Sequence, residues 1–342
     1  MKYSDEDHPI GAKDIAEYLK LQGIYAERRS IYRDIYAMNL ALWMIYNESD
    51  DIDEAETAIL ECEEEKVIVY KKKKGFYVRQ RRYEVEDVQL IAECIYSAKF
   101  VEAKKSKRLL DIVLDLISEY QGEKIRHSAF LTERTKTDNA KIFYNVMQIN
   151  SAMSHRLDGL PHIPEKIKFK YLMRSVNNVR QRVERRKGEE YIVSPYELLI
   201  NDGNYYLLGY SDTEKEMRTY RVDRMKSVSL TGISRDGEEE FKIIDMSTYT
   251  KRVFYMYGGR KTPIVLQCKN SILDTVYDRF GSDDVSYSVL NGGHFSVTTT
   301  VEVSNQFFGW LLGLGTSVKI LQPPELVSEF KDYVDKINKM YK

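Results

Sequence analysis

Arg218, Tyr220, Arg221 and Arg224 place three guanidiniums and a phenol within seven residues. That set suits a planar anion, because guanidinium forks grip phosphate bidentately and a tyrosine ring stacks on a base. The same arginines could equally pair with neighbouring acids along a strand edge. Ser194 and Tyr206 stand upstream as a hydrogen-bond donor and a second ring. A second basic group, Arg28, Arg29, Ser30, Tyr32 and Arg33, opens a helical pattern, and Lys72 and Lys73 sit in a basic turn. Both suit phosphates and base edges. Nothing suggests catalysis. The five histidines, at 8, 127, 155, 162 and 294, have no metal-ligand or nucleophile-base spacing. No phosphate-binding glycine motif stands between a strand and a helix. The expectation is a non-enzyme without metal or cofactor.

The segment Tyr191–Val228 must position the arginines. It alternates apolar and polar residues, with turns at Asn201–Asn204 and Ser211–Glu216. This predicts antiparallel strands over 191–200, 203–210 and 217–224. Alternation on the third puts Arg218 and Arg224 on one face and Arg221 with Asp223 on the other. Arg218 and Arg224 are therefore the expected ligand grip, and Arg221 is expected to pair with Asp223. Strands before this segment, turning at Asn177-Asn178, bring Lys168, Lys170, Arg180, Arg182, Arg185 and Arg186 to the same sheet.

The 342 residues suggest two to four domains. Charge is balanced, 52 basic against 53 acidic residues, so any nucleic-acid surface must be local. Cys62, Cys94 and Cys268 lack any paired spacing, which fits reduced thiols and, with no membrane span or signal peptide, a cytoplasmic location. Near the start, Lys13–Leu19 and Glu27–Met38 read as two helices around Gly23, with Ser30 as N-cap and Ile31, Ile35 and Met38 inward. Helix, turn, helix is a groove-reading unit. Residues 66–79 predict a hairpin, and the acidic 48–65 a solvated loop. Amphipathic helices follow over 85–120, the first lined by Val88, Leu90, Ile91, Cys94, Ile95 and Ala98, and another over 141–155. The last eighty residues read strand, helix, strand, strand, helix, strand, helix.

Tyr205-Tyr206-Leu207 followed by Arg218-Thr-Tyr-Arg-Val-Asp-Arg-Met225 resembles the WYL domain, an Sm-like small β-barrel of bacterial regulators, with tyrosine where its triplet carries tryptophan. The run Arg29-Ser-Ile-Tyr-Arg-Asp-Ile35 resembles the helix-turn-helix of DeoR-type regulators, which normally begin with one more helix than Met1–His8 provides. Phe307-Phe308-Gly-Trp-Leu-Leu312 and Val318–Pro323 resemble the C-terminal extension that commonly follows a WYL domain. The resemblance implies an α+β multidomain chain. Its parts would be a winged helix-turn-helix over 1–82, a helical bridge over 83–158, a WYL barrel over 160–242 and a ferredoxin-like extension over 255–342. It also implies a homodimeric transcription regulator binding a double-stranded DNA operator and sensing a nucleotide or single-stranded nucleic acid. A nucleic-acid-binding accessory protein, for example of phage defence, is the alternative.

Overall fold

The computed structural model describes residues 2–79, 83–128 and 136–342, without the side chains of 127 and 128. Its backbone divides into two compact units, Met1–Asp138 and Asn139–Lys342. The expected boundary at 82/83 touches residues outside those described.

In the first unit α1 (Ala12–Leu21) and α2 (Arg28–Asn47) meet around Gly23, which takes a left-handed φ of 80°. Ile31 and Ile35 are buried against Ala12, Ile68 and Phe76, as their spacing predicts, whereas Met38 is exposed. Ser30 is not the N-cap. Glu27 holds that position without a side-chain bond, and Ser30 is the third helical residue, its hydroxyl donating to Asp34 at 3.3 Å.

The acidic segment is a helix, α3 (Ile52–Glu61), rather than a solvated loop. Asp51 caps it by accepting from the Asp53 and Glu54 amides. Ala55 and Ile59, one turn apart, are fully buried against Trp43, whose indole N–H donates to Glu65 at 2.9 Å.

Strands β1 (Ile68–Lys71) and β2 (Gly75–Val78) form the expected hairpin. Ile10 and Phe76 exchange two backbone bonds of 2.8 Å, adding a third strand edge. A Cβ on Gly75 would lie 2.2 Å from the Ile10 carbonyl oxygen, so the hairpin needs glycine there. Buried Asn39 ties α2 to β1, donating to the Ile68 carbonyl at 2.8 Å and accepting its amide at 2.7 Å.

Three helices follow rather than two: α4 (Val85–Ser97), α5 (Ala103–Leu114) and α6 (Glu119–Ser128). Val88, Ala92, Leu110, Leu114, Ile117 and Ile125 make their core. The buried face of α4 is rotated from the expected one, leaving Leu90, Ile91 and Cys94 exposed. The opening segment docks on this bundle. Buried Asp5 accepts from the Ser118 hydroxyl and the His8 ring, and that ring stacks on Tyr120 at 3.8 Å.

The second unit starts with α7 (Ile142–Met153), which packs on the following sheet instead of extending a bridge. A short hairpin, β3 (Arg156–Leu157) with β4 (Leu160–Pro161), leads into β5 (Glu165–Arg174), β6 (Arg182–Glu184), β7 (Tyr191–Asn201), β8 (Asn204–Ser211), β9 (Glu216–Arg221) and β10 (Met225–Ser234). The curled antiparallel sheet runs β10-β5-β7-β8-β9, with β6 on β5. Its interior is aromatic: Phe169, Tyr171, Tyr191 and Tyr220 hold centroid distances of 5.5 to 6.2 Å. Such pairs each add about 0.5–1.5 kcal/mol beyond area burial. Leu207 and Leu208 are both buried because Tyr249, Val253 and Met256 cover the outer face of β8.

Helices α8 (Glu238–Lys242) and α9 (Met246–Arg252) lead to the last module: β11 (Arg260–Lys269), α10 (Leu273–Phe280), β12 (Ser286–Leu290), β13 (His294–Val303), α11 (Asn305–Gly313), β14 (Val318–Gln322) and α12 (Pro324–Met340). Its antiparallel sheet is ordered β12-β13-β11-β14, so α10 crosses over β13 and α11 over β11, while α12 follows the last strand. Phe280, Phe295, Phe307, Phe308 and Leu311 fill the space between sheet and helices.

Candidate ligand cleft and nucleic-acid surface

A cleft of about 1200 Å³ opens beside β9 in the second unit. Arg218, Arg221 and Arg224 all line it, although strand alternation forbids three such positions from sharing a face. The cleft runs along β9, the edge strand of the sheet, and Glu216 to Arg221 all line it, so side chains of both faces reach it. Residues Val222–Arg224 form one 3-10 turn, which swings Arg224 back to the cleft. Two asparagines hold that turn. Asn139 donates to the Asp223 and Met225 carbonyls at 2.9 and 3.1 Å, and buried Asn145 donates to Met225 at 2.9 Å.

The arginines are differently engaged. Arg221 forks onto Asp223 at 2.9 and 3.1 Å and donates to Asn204 at 2.7 Å, so the expected pair is present. Asp223 is 5% exposed at its side chain, which makes this a structural clamp. Arg218 leans on Glu216 at 2.9 Å, and both are largely exposed. Arg186 pairs with Glu214 and lies 4.5 Å over the Tyr191 ring. Arg185, Lys215 and Arg224 also line the cleft, exposed, with no ion pair among the described residues. The free cations are therefore not the expected two. Arg185 had shown only as one member of a basic run, and Lys215 carried no signal.

Tyr206 lines the cleft half-buried, and burial raises its pKa, keeping the phenol neutral. Tyr220 is 6% exposed because its ring is enclosed by Phe169, Tyr171 and Tyr191, so no open face is left for a base. Burial likewise raises its pKa. Ser194 does not reach the cleft. It is fully buried, its oxygen accepting the Asp236 amide at 2.9 Å, since the turn after β10 covers that face of β7. Residues distant in sequence, Tyr249, Tyr255, Tyr257 and Glu302, also line the cleft. No local pattern could have found these.

In the first unit, Arg28, Arg29 and Arg33 are exposed along the first turns of α2. Its N-terminal amides carry no side-chain cap, leaving the positive end of the helix open. Arg28 donates to the Tyr32 hydroxyl at 3.3 Å, and Arg33 stands 3.9 Å from Asp34. Tyr32 packs on Phe76 at 5.0 Å and Tyr70 at 6.3 Å, so it fastens helix to hairpin as much as it faces outward. Lys72 and Lys73 are exposed at the hairpin tip. The cluster thus presents guanidiniums at a helix start and ammoniums on a turn, the donor types that meet phosphate and guanine.

Among known families, residues 166–230 match the WYL domain and 260–337 the WCX domain. Over 150 residues the chain is 24% identical to an uncharacterized HTH-type transcriptional regulator, YobV, of Bacillus subtilis (strain 168). That match covers 43% of this chain and 45% of the relative, so the chain spans less than half the length of the curated relative it matches. Two solved structures align more loosely. One is proteasome accessory factor B/C (PafBC) of Arthrobacter aurescens, 13% identical, covering 77% of this chain and 38% of that one, TM-score 0.28. The other is a CRISPR Cas-related protein, 11% identical, covering 75% and 80%, TM-score 0.34.

Proposed function

This chain is a WYL-domain protein in which a WCX domain follows the WYL domain, and from that premise we propose a transcription regulator that answers to an anionic ligand. Its first unit reads double-stranded DNA through α2 and the hairpin. Its second unit binds a nucleotide or single-stranded nucleic acid in the cleft. The observation that carries this reading is the basic start of α2. Arg29 and Arg33 are exposed at an uncapped helix terminus beside a lysine-tipped hairpin, and Arg29 has no structural partner among the described residues. A helix so placed offers its first side chains to the major groove. The cleft supplies the second half: exposed Arg185, Lys215 and Arg224 face the same space as Tyr206.

One small reading head has little contact area for gene-level selectivity, so a homodimer on a palindromic operator completes the proposal. The test is a footprint of the full chain on palindromes near its own gene. Arg29→Ala should weaken operator binding by roughly 1–3 kcal/mol and affect random DNA less. Unchanged operator affinity would remove Arg29 from recognition.

A further inference from the structure

We propose that β12, the edge strand Ser286–Leu290 of the WCX sheet, docks on the same strand of a second copy of this chain, antiparallel across a two-fold axis at Ser288. The inference rests on the homodimer reading above and gives it an interface. The sheet is ordered β12-β13-β11-β14, so β12 has β13 on one side and, among the described residues, no strand on the other. The amides and carbonyls of a strand alternate between its two sides, which leaves an outer row here without a ladder partner.

Sheet edges are ordinarily guarded by charge, by proline or by a bulge. The other edges of the two larger sheets follow that rule. β9 carries Glu216, Arg218 and Arg221, and β10 carries Lys226. β14 carries Lys319 and runs into Pro323. By contrast β12, Ser-Tyr-Ser-Val-Leu, has no charge, no proline and no register shift against β13. Its Val289 is 90% exposed. An unguarded edge with a β-branched side chain standing in water invites indiscriminate pairing unless a fixed partner takes it.

The residue pattern makes a second copy that partner. With Ser288 opposite its own counterpart, all five residues pair, and Tyr287 of each copy meets Val289 of the other. Aromatic against β-branched is a favourable cross-strand pair, and the two-fold axis makes it twice. Tyr287 and Val289 pair with buried Val297 and Phe295 on β13, so both lie on the helix-covered face. There the Tyr287 ring stands 6.2 Å from that of Tyr277 on α10, itself 51% exposed, and the incoming Val289 meets a shelf of two rings. No like charges face each other at any of the five positions. A slip in register would leave residues unpaired and part Tyr287 from Val289.

The experiment uses the full chain. Ser288→Cys, made in a Cys94→Ser background because Cys94 is exposed, should form a disulfide-linked dimer under mild oxidation, and the background chain should not. Val289→Lys supplies the missing guard. It should weaken dimerisation roughly tenfold or more by light scattering across a micromolar dilution series, with an unchanged circular dichroism spectrum. Should that variant misfold, the cross-link alone decides. A wild-type dimer that survives Val289→Lys, or that Ser288→Cys fails to lock, would overturn the edge pairing and leave the homodimer reading standing. A wild-type chain that stays monomeric throughout removes both.

Discussion

Arg221→Ala separates a structural arginine from a ligand-gripping one. In the structure Arg221 neutralises Asp223, whose side chain is 5% exposed, through two bonds near 3 Å and holds Asn204 through a third. Removing one partner of a buried pair costs about 3–5 kcal/mol, because the remaining charge is left uncompensated. Two features reduce that figure. Arg221 is itself 28% exposed, and Arg182 remains 3.9 Å from Asp223. About 2–4 kcal/mol is the expected loss. For a unit of roughly 200 residues each kcal/mol lowers Tm by about 2–4 °C, so the drop should be roughly 5–15 °C. The assay is thermal unfolding of the full chain, followed by a probe of the second unit. Arg221→Ala combined with Asp223→Asn should recover part of the loss, since the orphaned charge is gone. An unchanged Tm with collapsed oligothymidylate binding would refute this reasoning and place Arg221 in the grip.

Three further outcomes are expected. Arg224→Ala should weaken oligonucleotide binding about tenfold or more, and Arg218→Ala less, because Arg218 must first release Glu216; equal losses by titration would contradict the ranking. Burial raises the Asp5 pKa, but hydrogen bonds from Ser118 and His8 outweigh it and leave it below the ordinary 3.8. A depressed carboxyl stabilises fully above its unfolded pKa and loses that contribution as pH falls through the folded value. Ser118→Ala should therefore cost stability at neutral pH and progressively less in acid, and a constant difference between the melting curves would exclude the linkage. Light scattering at micromolar concentration should return twice the chain mass, and a monomer would count against the dimeric reading.

Elements with local signals were legible in the sequence. The hairpin over 66–79 and strands β7 and β8 follow from turn chemistry and period-two patterning, which act between near neighbours. The helix α3 was hidden because acids surround its short apolar stripe of Ala55 and Ile59. Arg224 lines the cleft together with Arg218, but strand parity is not what brings it there. Parity holds only while a strand lasts, and here a turn fastened by Asn139 and Asn145 replaces its last residues. Ser194 looked accessible because a sequence does not show that Asp236, forty-two residues on, will cover it. Tyr255 and Tyr257 line the same cleft from positions that share no spacing at all with the arginines.

The internal pairing of the cleft arginines also sets how ionic strength governs the site. Each phosphate newly neutralised on a single strand releases counterions worth a slope of about −0.7 in log affinity against log salt. Were all six cationic side chains of the cleft available, the slope would approach about −4. Arg186, Arg218 and Arg221 already hold carboxylates, so for them binding exchanges one anion for another. Only Arg185, Lys215 and Arg224 remain to displace counterions, which brings the slope to about −2. A site built this way keeps more of its affinity in concentrated salt than its arginine count suggests, and it selects for ligands that offer stacking as well as charge.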